Sequence, residues 1–453
     1  MSNAKYNNFA VVYFYPKPLI MPIAKLFYRN ILWKGLFFLS AFILNVLIAR
    51  HYRASVSGEI FYLINLYAFI ILIAGISLES SMAYYVSKNE ISTIKLINFS
   101  LLWVLVIAAG LFLYMLSIKN FYTNRINILG AAFISGNLLS NYCAAIAYAK
   151  RNFFLPNIIN IGINISLIGI LFLIKFFKPA IISDNTFIMI FFCSFLLQGL
   201  VSVVALGITY AKNWRLTFPT NQELKKLFRF GLIAFAANII SFLLYRIDYW
   251  FVKEYCNASD LGNYIQVSKI AQVFFILPGI LAGTVFPLTA GGQKQYVNDL
   301  LATISRLIFM FYIFCCGILA LTGYWLFPAL FGESFKNMYV PFLLLIPGIL
   351  ALSTLYTLTA YYAGKNKISI NIKGASIALA FMIIADLFFI PKYGIIAAAI
   401  VSSMSYLLYH IYVLYTFITE YKASAISFFN FNLSDIQKIR NSIFNKAVKP
   451  NEQ

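Results

Sequence analysis

Hydrophobic segments of about 20 residues fill this chain almost end to end, and its charges sit mainly in the gaps between them. A bilayer core about 30 Å thick needs roughly 20 helical residues, so the pattern dictates a chain that folds with lipid as its solvent. Charged residues make up 11% of the sequence and hydrophobic ones 62%, with a mean hydropathy of +0.82, which leaves too little polar surface for a soluble domain. Outer-membrane barrel strands would alternate over segments of about ten residues, whereas runs such as Leu101 to Leu116 are apolar on every face. Twelve helical spans are expected, at 30–49, 59–86, 95–117, 125–149, 154–174, 187–211, 228–252, 260–288, 301–328, 338–362, 368–390 and 394–418.

Lys and Arg fix the expected direction, because cytoplasmic connections retain positive charge. They concentrate in the N-terminal stretch (Lys5, Lys17, Lys25, Arg29), the central linker (Lys212, Arg215, Lys225, Lys226, Arg229) and the tail (Lys422, Lys438, Arg440, Lys446, Lys449). Both termini are therefore expected in the cytoplasm. The formal net charge of +21 is explained by this bias and by contact with anionic lipid, so nucleic acid is not an expected partner. The first span is long enough to cross and lacks a small-residue cleavage site, so no cleavable signal peptide is expected. Met21 is an alternative start, since the residues before it add no span.

The connections exclude several functions. Outside the spans lie a segment 1–29, the basic linker 212–227 and a tail 419–453, none large enough to enclose a soluble catalytic domain. The chain has no phosphate-binding glycine loop, only two histidines (His51 and His410) and no clustered metal ligands. No catalytic centre, metal site or bound cofactor is expected. Cys143, Cys193, Cys256, Cys315 and Cys316 lie in or beside spans without Cys-x-x-Cys spacing, and read as small packing residues.

The basic linker divides the spans into two sets of six, 30–211 and 228–418, and similar phrases recur in both. Ala54-Ser55-Val56-Ser57-Gly58 follows the first span and Ala258-Ser259-Asp260-Leu261-Gly262 the seventh. Tyr148-Ala149-Lys150 closes the fourth span and Tyr362-Ala363-Gly364-Lys365 the tenth. Six is even, so corresponding spans run the same way, and the expected plan is a parallel repeat with substrate held between the halves.

Several phrases carry a family resemblance. Ile48-Ala49-Arg50 is followed by Gly58-Glu59-Ile60-Phe61, and Gly75-Ile76-Ser77-Leu78-Glu79 lies late in the second span. Tyr245-Arg246-Ile247-Asp248 ends the seventh span and Gly262-Asn263-Tyr264 opens the eighth. Ile390-Pro391-Lys392-Tyr393-Gly394-Ile395-Ile396-Ala397-Ala398-Ala399 joins the last two. In this order the chain resembles the bacterial polysaccharide (O-antigen-type) flippases of the multidrug/oligosaccharidyl-lipid/polysaccharide exporter superfamily. The resemblance implies an all-α integral membrane protein, with twelve transmembrane helices in a V-shaped pair of six-helix bundles. It also implies carriage of an undecaprenyl-pyrophosphate-linked oligosaccharide from the cytoplasmic to the periplasmic leaflet of the inner membrane. The implied setting is O-antigen or capsule-type polysaccharide synthesis, alongside a polysaccharide polymerase and chain-length proteins. The sequence departs from family habit at Asp386, where an amide is more usual, and around His51 to Arg53, where a Leu-Gly-Pro-like turn is missing.

Ionisable groups inside spans cost roughly 2.5 to 3.5 kcal/mol on insertion scales and usually face a cavity or a partner. Lys269, near the midplane in the eighth span, suits a pyrophosphate head group, or else pairs with a carboxylate to hold helices together. Arg246 and Asp248 lie two residues apart and so on different helix faces. Arg246 is a second head-group candidate, and Asp248 a proton or ion site, with a structural pair as the alternative. Lys34, Arg306 and Lys373, one or two turns inside cytoplasmic ends, either line the cavity mouth or snorkel to the interface. Glu79 and Asp386 are coupling or gating candidates, with helix capping or interfacial solvation as the alternative. A proton or ion gradient, or consumption of the product outside, is the expected drive. Pro278 with Gly279, Pro341, and Pro347 with Gly348 are the expected bends. Rival functions are a multidrug exporter of the same superfamily, a lipid-II flippase and, from another class, a membrane polysaccharide polymerase or ligase. A drug exporter of organic cations would favour a deep carboxylate in the first or seventh span, and the deep cation Lys269 argues against it.

Overall fold

The computed structural model describes residues 23–117, 121–177, 184–211, 214–290 and 294–421. Lys5, Lys17, Lys212 and the tail lysines lie outside them. The described chain is helical: α1 (Ile23–Gly75), α2 (Leu78–Ser87), α3 (Thr93–Ser117), α4 (Phe121–Ala149), α5 (Phe154–Phe177), α6 (Asp184–Tyr210), α7 (Asn221–Arg246), α8 (Asp248–Tyr255), α9 (Ala258–Val273), α10 (Ile276–Ala290), α11 (Lys294–Phe331), a 3-10 turn (Glu333–Met338), α12 (Tyr339–Gly364) and α13 (Ile368–Tyr421). Among the described residues nine helices are long and apolar enough to cross a membrane. Two of these, α1 and α13, are each a pair of helices joined at one non-helical residue, Arg53 and Gly394. Every expected span falls on one or two of the helices α1–α13, with 260–288 on the shorter α9 and α10, outside those nine.

Where a helix breaks inside lipid, its freed backbone groups need new partners. At Arg53 (φ 58°) the first helix of α1 ends, and the Ala54 amide donates to Ser334 Oγ at 3.0 Å instead of to the turn before it. Between α1 and α2, Ile76 and Ser77 take positive φ. There the Trp103 indole donates to the Ala74 carbonyl at 3.0 Å, the Tyr142 hydroxyl to Gly75 at 3.4 Å, and Asn238 to Ser77 Oγ at 3.0 Å. Gly394 (φ 57°) makes the last reversal, a conformation glycine adopts without a Cβ penalty.

The proline expectations hold in part. Pro278 lies in the first turn of α10, just after the chain breaks behind α9, and Pro341 in the first turn of α12. Pro347, by contrast, lies within an unbroken α12. Its neighbour Gly348 serves close packing, since a Cβ there would meet the Ser403 backbone at 2.9 Å.

The second repeated phrase is a shared backbone turn. After α4, Arg151 (φ 60°) ends the helix while Arg151 N–H bonds to Tyr148 O and Asn152 N–H to Ala147 O. After α12, Asn366 (φ 57°) does the same, with Asn366 N–H to Ala363 O and Lys367 N–H to Tyr362 O. This is the Schellman pattern, in which the two final amides satisfy orphan carbonyls of the last turn.

Helix α7 starts at Asn221, inside the expected linker, because Thr220 caps it. The Thr220 side chain accepts from the Glu223 amide, and the Glu223 carboxylate accepts from the Thr220 amide. Glu223 also pairs with Lys95 at 2.9 Å. Thr220→Ala is expected to cost about 1 kcal/mol, and Glu223→Ala more, because it removes the Lys95 pair too. Thermal unfolding of the purified protein in detergent checks this order.

Helices α1–α6 pack mainly on one another, with α4 against α6, α3 and α2, and α1 against α5. Helices α7–α13 do likewise around α12, which contacts α13, α10 and α11. Leu105, Leu113, Leu116, Ile208, Leu321 and Tyr415 are exposed on the outside, as expected where the surroundings are hydrocarbon.

Candidate functional site

Two zones of contact join the bundles, one at each end. At the end carrying the Arg53 reversal, α1 crosses α9 so closely that backbone meets backbone. A Cβ on Gly262 would lie 1.9 Å from the Ala54 carbonyl oxygen, and one on Gly58 would lie 2.7 Å from Gly262 Cα and 3.1 Å from the Ala258 carbonyl oxygen. The contact is reciprocal: Ala54 meets Gly262 and Ala258 meets Gly58, corresponding positions of the first repeated phrase. Around them Asn263 donates to Ser334 O at 3.0 Å, Arg50 to Ala329 O at 3.1 Å, and Lys253 pairs with Glu59.

At the opposite end α2 meets α7. Lys226 pairs with Glu90 at 3.1 Å, and Tyr84 stacks on Phe230 at 4.8 Å. Asn98 on α3 holds the segment before α7 by donating to the Arg215 and Thr217 carbonyls at 2.9 and 2.8 Å.

Between these zones lies a polar, cationic layer. Lys269 Nζ sits 3.1 Å from the centroid of the Phe61 ring and 3.5 Å from Asn45 Oδ1. Asn45 also accepts from Gln266 at 3.1 Å. Arg246 donates to Asn65 Oδ1 at 3.1 Å, lies over Phe242 at 5.3 Å, and interacts electrostatically with Lys269. Among the described residues no carboxylate bridges to Lys269. An aromatic face and an amide oxygen hold its ammonium group. Lys269 lies on the wall of a pocket of about 660 Å³ between α1 and α9–α10, whose other walls include Phe38, Leu39, Phe42, Val273 and Ile276. Phe38, Leu39, Phe42 and Val273 are exposed.

The acidic candidates separate. Asp248 is buried in the C-terminal bundle, and its Oδ2 accepts from the Tyr264 hydroxyl at 2.5 Å and from Ser402 at 3.0 Å. Asp386 is 0% exposed, neither of its carboxyl oxygens has a hydrogen-bond partner among the described residues, and it interacts electrostatically with Asp248. Sequence spacing put Asp248 at a helix end and gave no reason to join the two acids; α13 brings them together. Glu79 stands in the other bundle, in the first turn of α2, where an acid opposes the positive end of the helix dipole.

The remaining basic candidates stand apart from this layer. Lys34 is half-buried over the Tyr148 ring at 5.2 Å, Arg306 donates to Thr303 at 3.2 Å, and Lys373 is exposed on α13. Sequence reasoning missed Phe61, Asn45, Asn65, Tyr264 and Ser402. Gln266 and Asn45, polar residues inside apolar runs, were the available signal.

Two bundles of long apolar helices, joined at both ends around a polar, cationic layer, form the architecture that the resemblance to the multidrug/oligosaccharidyl-lipid/polysaccharide exporter superfamily implies. A family model described as "Polysaccharide biosynthesis protein" matches residues 81–340, more than half of the chain, and the protein belongs to that family. Among solved structures, the lipid II flippase MurJ in an inward closed conformation aligns with a TM-score of 0.70 at 16% identity, covering 91% of each chain. The Vibrio cholerae MATE transporter VcmN in its bent form aligns at 0.61 and 12% identity, covering 90% of this chain and 98% of that one. A transporter of the superfamily from Pyrococcus furiosus, described as having a binding pocket of reverse polarity, aligns at 0.59 and 11% identity, covering 94% and 96%. These likenesses concern the fold. No curated protein sequence matches the chain.

Proposed function

We propose that this protein flips an undecaprenyl-pyrophosphate-linked oligosaccharide from the cytoplasmic to the periplasmic leaflet of a bacterial inner membrane, for assembly of a surface polysaccharide. The observation that carries this reading is Lys269, a cation with no carboxylate partner among the described residues, on the wall of a mainly apolar pocket between α1 and α9–α10. A lipid-linked sugar needs a cation for its pyrophosphate, a polar interior for its sugar and an open flank for its prenyl tail. Lys269 with Arg246 supplies the first, the amides Asn45, Asn65 and Gln266 the second, and the gap between α1 and α9–α10 the third. Organic cations would be repelled by this layer, which disfavours drug export. Both termini lie in the cytoplasm by the distribution of Lys and Arg. A polymerase and chain-length proteins consume the product outside.

Release from a cationic site needs a drive, and the buried pair Asp248 and Asp386 is the place where a proton or small cation binds to supply it. Glu79, in the first turn of α2, serves that helix's start.

The test is transbilayer movement of a labelled polyprenyl-pyrophosphate oligosaccharide in proteoliposomes. Lys269→Ala is expected to lower the rate about tenfold or more with the fold intact. An unchanged rate discards Lys269 as the anion site. Movement of lipid II or of a cationic drug, but of no lipid-linked oligosaccharide, overturns the substrate.

A further inference from the structure

The stretch His51 to Arg53 departs from family habit and holds none of the groups that face the lipid-linked substrate. In the fold it forms the rim of a pocket of about 370 Å³ between the reversal in α1 and the last turns of α5, within the size range of small-ligand sites. Arg50, His51 and Arg53 supply its polar side, and Leu47, Leu171 and Phe172 its apolar side. The three basic side chains are exposed, and so is Phe172.

Topology does not account for this cluster. With both termini in the cytoplasm the reversal in α1 faces outward, whereas Lys and Arg are retained on the cytoplasmic side. Two arginines there run against the bias. The backbone does not account for it either. Arg53 holds φ 58° and ψ 177°, close to a region that is essentially glycine's alone. An arginine at such a position strains the turn and is explained by its side chain. Nor is the charge neutralised within the chain: among the described residues no carboxylate pairs with Arg50 or Arg53, and Glu59, the acid of α1, is held by Lys253. Arg50 donates to the Ala329 carbonyl at 3.1 Å through one nitrogen, which leaves other N–H groups of its planar fork for an anion.

The pocket's position selects the anion. Phe38, Phe42 and Asn45, spaced by four and three, line the pocket that holds Lys269, and Leu47 and His51, spaced by four, line this one. Asn45 and Leu47 stand two residues apart, about 200° around a helix. The two pockets therefore lie on opposite faces of α1, and a head group at Lys269 does not meet Arg53. Guanidinium forks match phosphate oxygens, and the apolar side takes the first methylenes of acyl chains. This pairing at a span end fits a phosphate carried by a lipid of the surrounding bilayer.

We propose that Arg50 and Arg53, with His51 on the same rim, hold the phosphodiester of an anionic phospholipid of the outer leaflet, in a site separate from the path of the lipid-linked sugar. The proposal rests on the orientation given above, with both termini in the cytoplasm.

The test uses full-length protein with its five cysteines replaced, reconstituted in liposomes and carrying a fluorophore at Leu173→Cys, beside the pocket, or at Leu321→Cys, exposed on α11. Quenching is titrated with phosphatidylglycerol or phosphatidylcholine bearing a nitroxide near the top of one acyl chain. At Leu173→Cys, phosphatidylglycerol is expected to half-quench at about a fivefold lower mole fraction than phosphatidylcholine, with no such preference at Leu321→Cys. Arg53→Gly, which suits the turn, is expected to reduce the preference by about half or more, and adding Arg50→Gln to abolish it. An equal preference at Leu321→Cys, none at Leu173→Cys, or one unchanged in both variants overturns the site. Displacement of the labelled phosphatidylglycerol by about a tenth of its amount of unlabelled polyprenyl pyrophosphate gives the pocket to the substrate instead and overturns the phospholipid. Orientation is read separately from Ser55→Cys, exposed at the reversal, which an impermeant thiol reagent is expected to modify in right-side-out vesicles and not in inverted ones. The opposite result overturns the outer-leaflet assignment through the orientation, an outcome distinct from loss of the preference.

Discussion

Gly262→Leu is expected to reduce transport by at least about tenfold, a loss of ~1.4 kcal/mol or more in transition-state or state-population terms. The cause is backbone contact. A Cβ at residue 262 would stand 1.9 Å from the Ala54 carbonyl oxygen and 2.7 Å from its carbonyl carbon. Ordinary contacts lie near 3.5 Å, so even alanine needs α1 and α9 to separate by roughly 1.5 Å, and neither backbone can swing aside as a side chain would. Leucine removes the closed state of this end and leaves the bundles apart there. Spin labels at Val56 and Ser259 report it: the short-distance population of the unsubstituted protein is expected to vanish in Gly262→Leu. If that population survives and transport is normal, the close crossing is not a state the protein visits during its cycle. Gly58→Leu is expected to act in the same direction, because the contact is reciprocal.

Asp386→Leu is expected to raise thermal stability while abolishing the response of transport to an ion or pH gradient. Asp386 is 0% exposed and, among the described residues, neither of its carboxyl oxygens has a hydrogen-bond partner, so its desolvation goes without a compensating bond there. Replacing such a group with an apolar one of similar volume is expected to stabilise by about 1–3 kcal/mol. A residue kept at a cost to stability is a functional residue by that measure. Unfolding temperature and gradient-driven flipping, measured on the same preparation, give the test. A lower unfolding temperature would make Asp386 a structural residue, and an unchanged gradient response would remove it from coupling.

The sequence alone located the membrane segments, since length and hydropathy are one-dimensional properties and the bilayer fixes the length a helix needs. It also exposed the two repeated phrases. One is a helix-ending turn, legible because Schellman geometry is local: the bonds around Arg151 and Asn366 span five residues at most. The other, Ala54–Gly58 and Ala258–Gly262, was legible as a repetition but not as a contact, for nothing in either phrase says that it packs on the other.

Lys269 stood out as a deep cation, yet its partners did not. Phe61 and Asn45 lie on α1, more than 200 residues away. The bond from Ser402 to Asp248, and the electrostatic interaction of Asp386 with Asp248, were equally hidden. The break after Ile247 and the continuity of α12 through Pro347 were also decided elsewhere, by the neighbours available to satisfy or fill each helix.

What the sequence determined is therefore the class of molecule: an all-α membrane protein, its spans and its few costly charges. What only the tertiary structure decided is which of those charges meet and which face a cavity. The physical reason is that most spans here are apolar on every side. In lipid, a uniformly apolar helix carries no stripe that fixes its rotation about its own axis. That rotation, and with it the direction of every buried polar side chain, is set by close packing against helices distant in the chain.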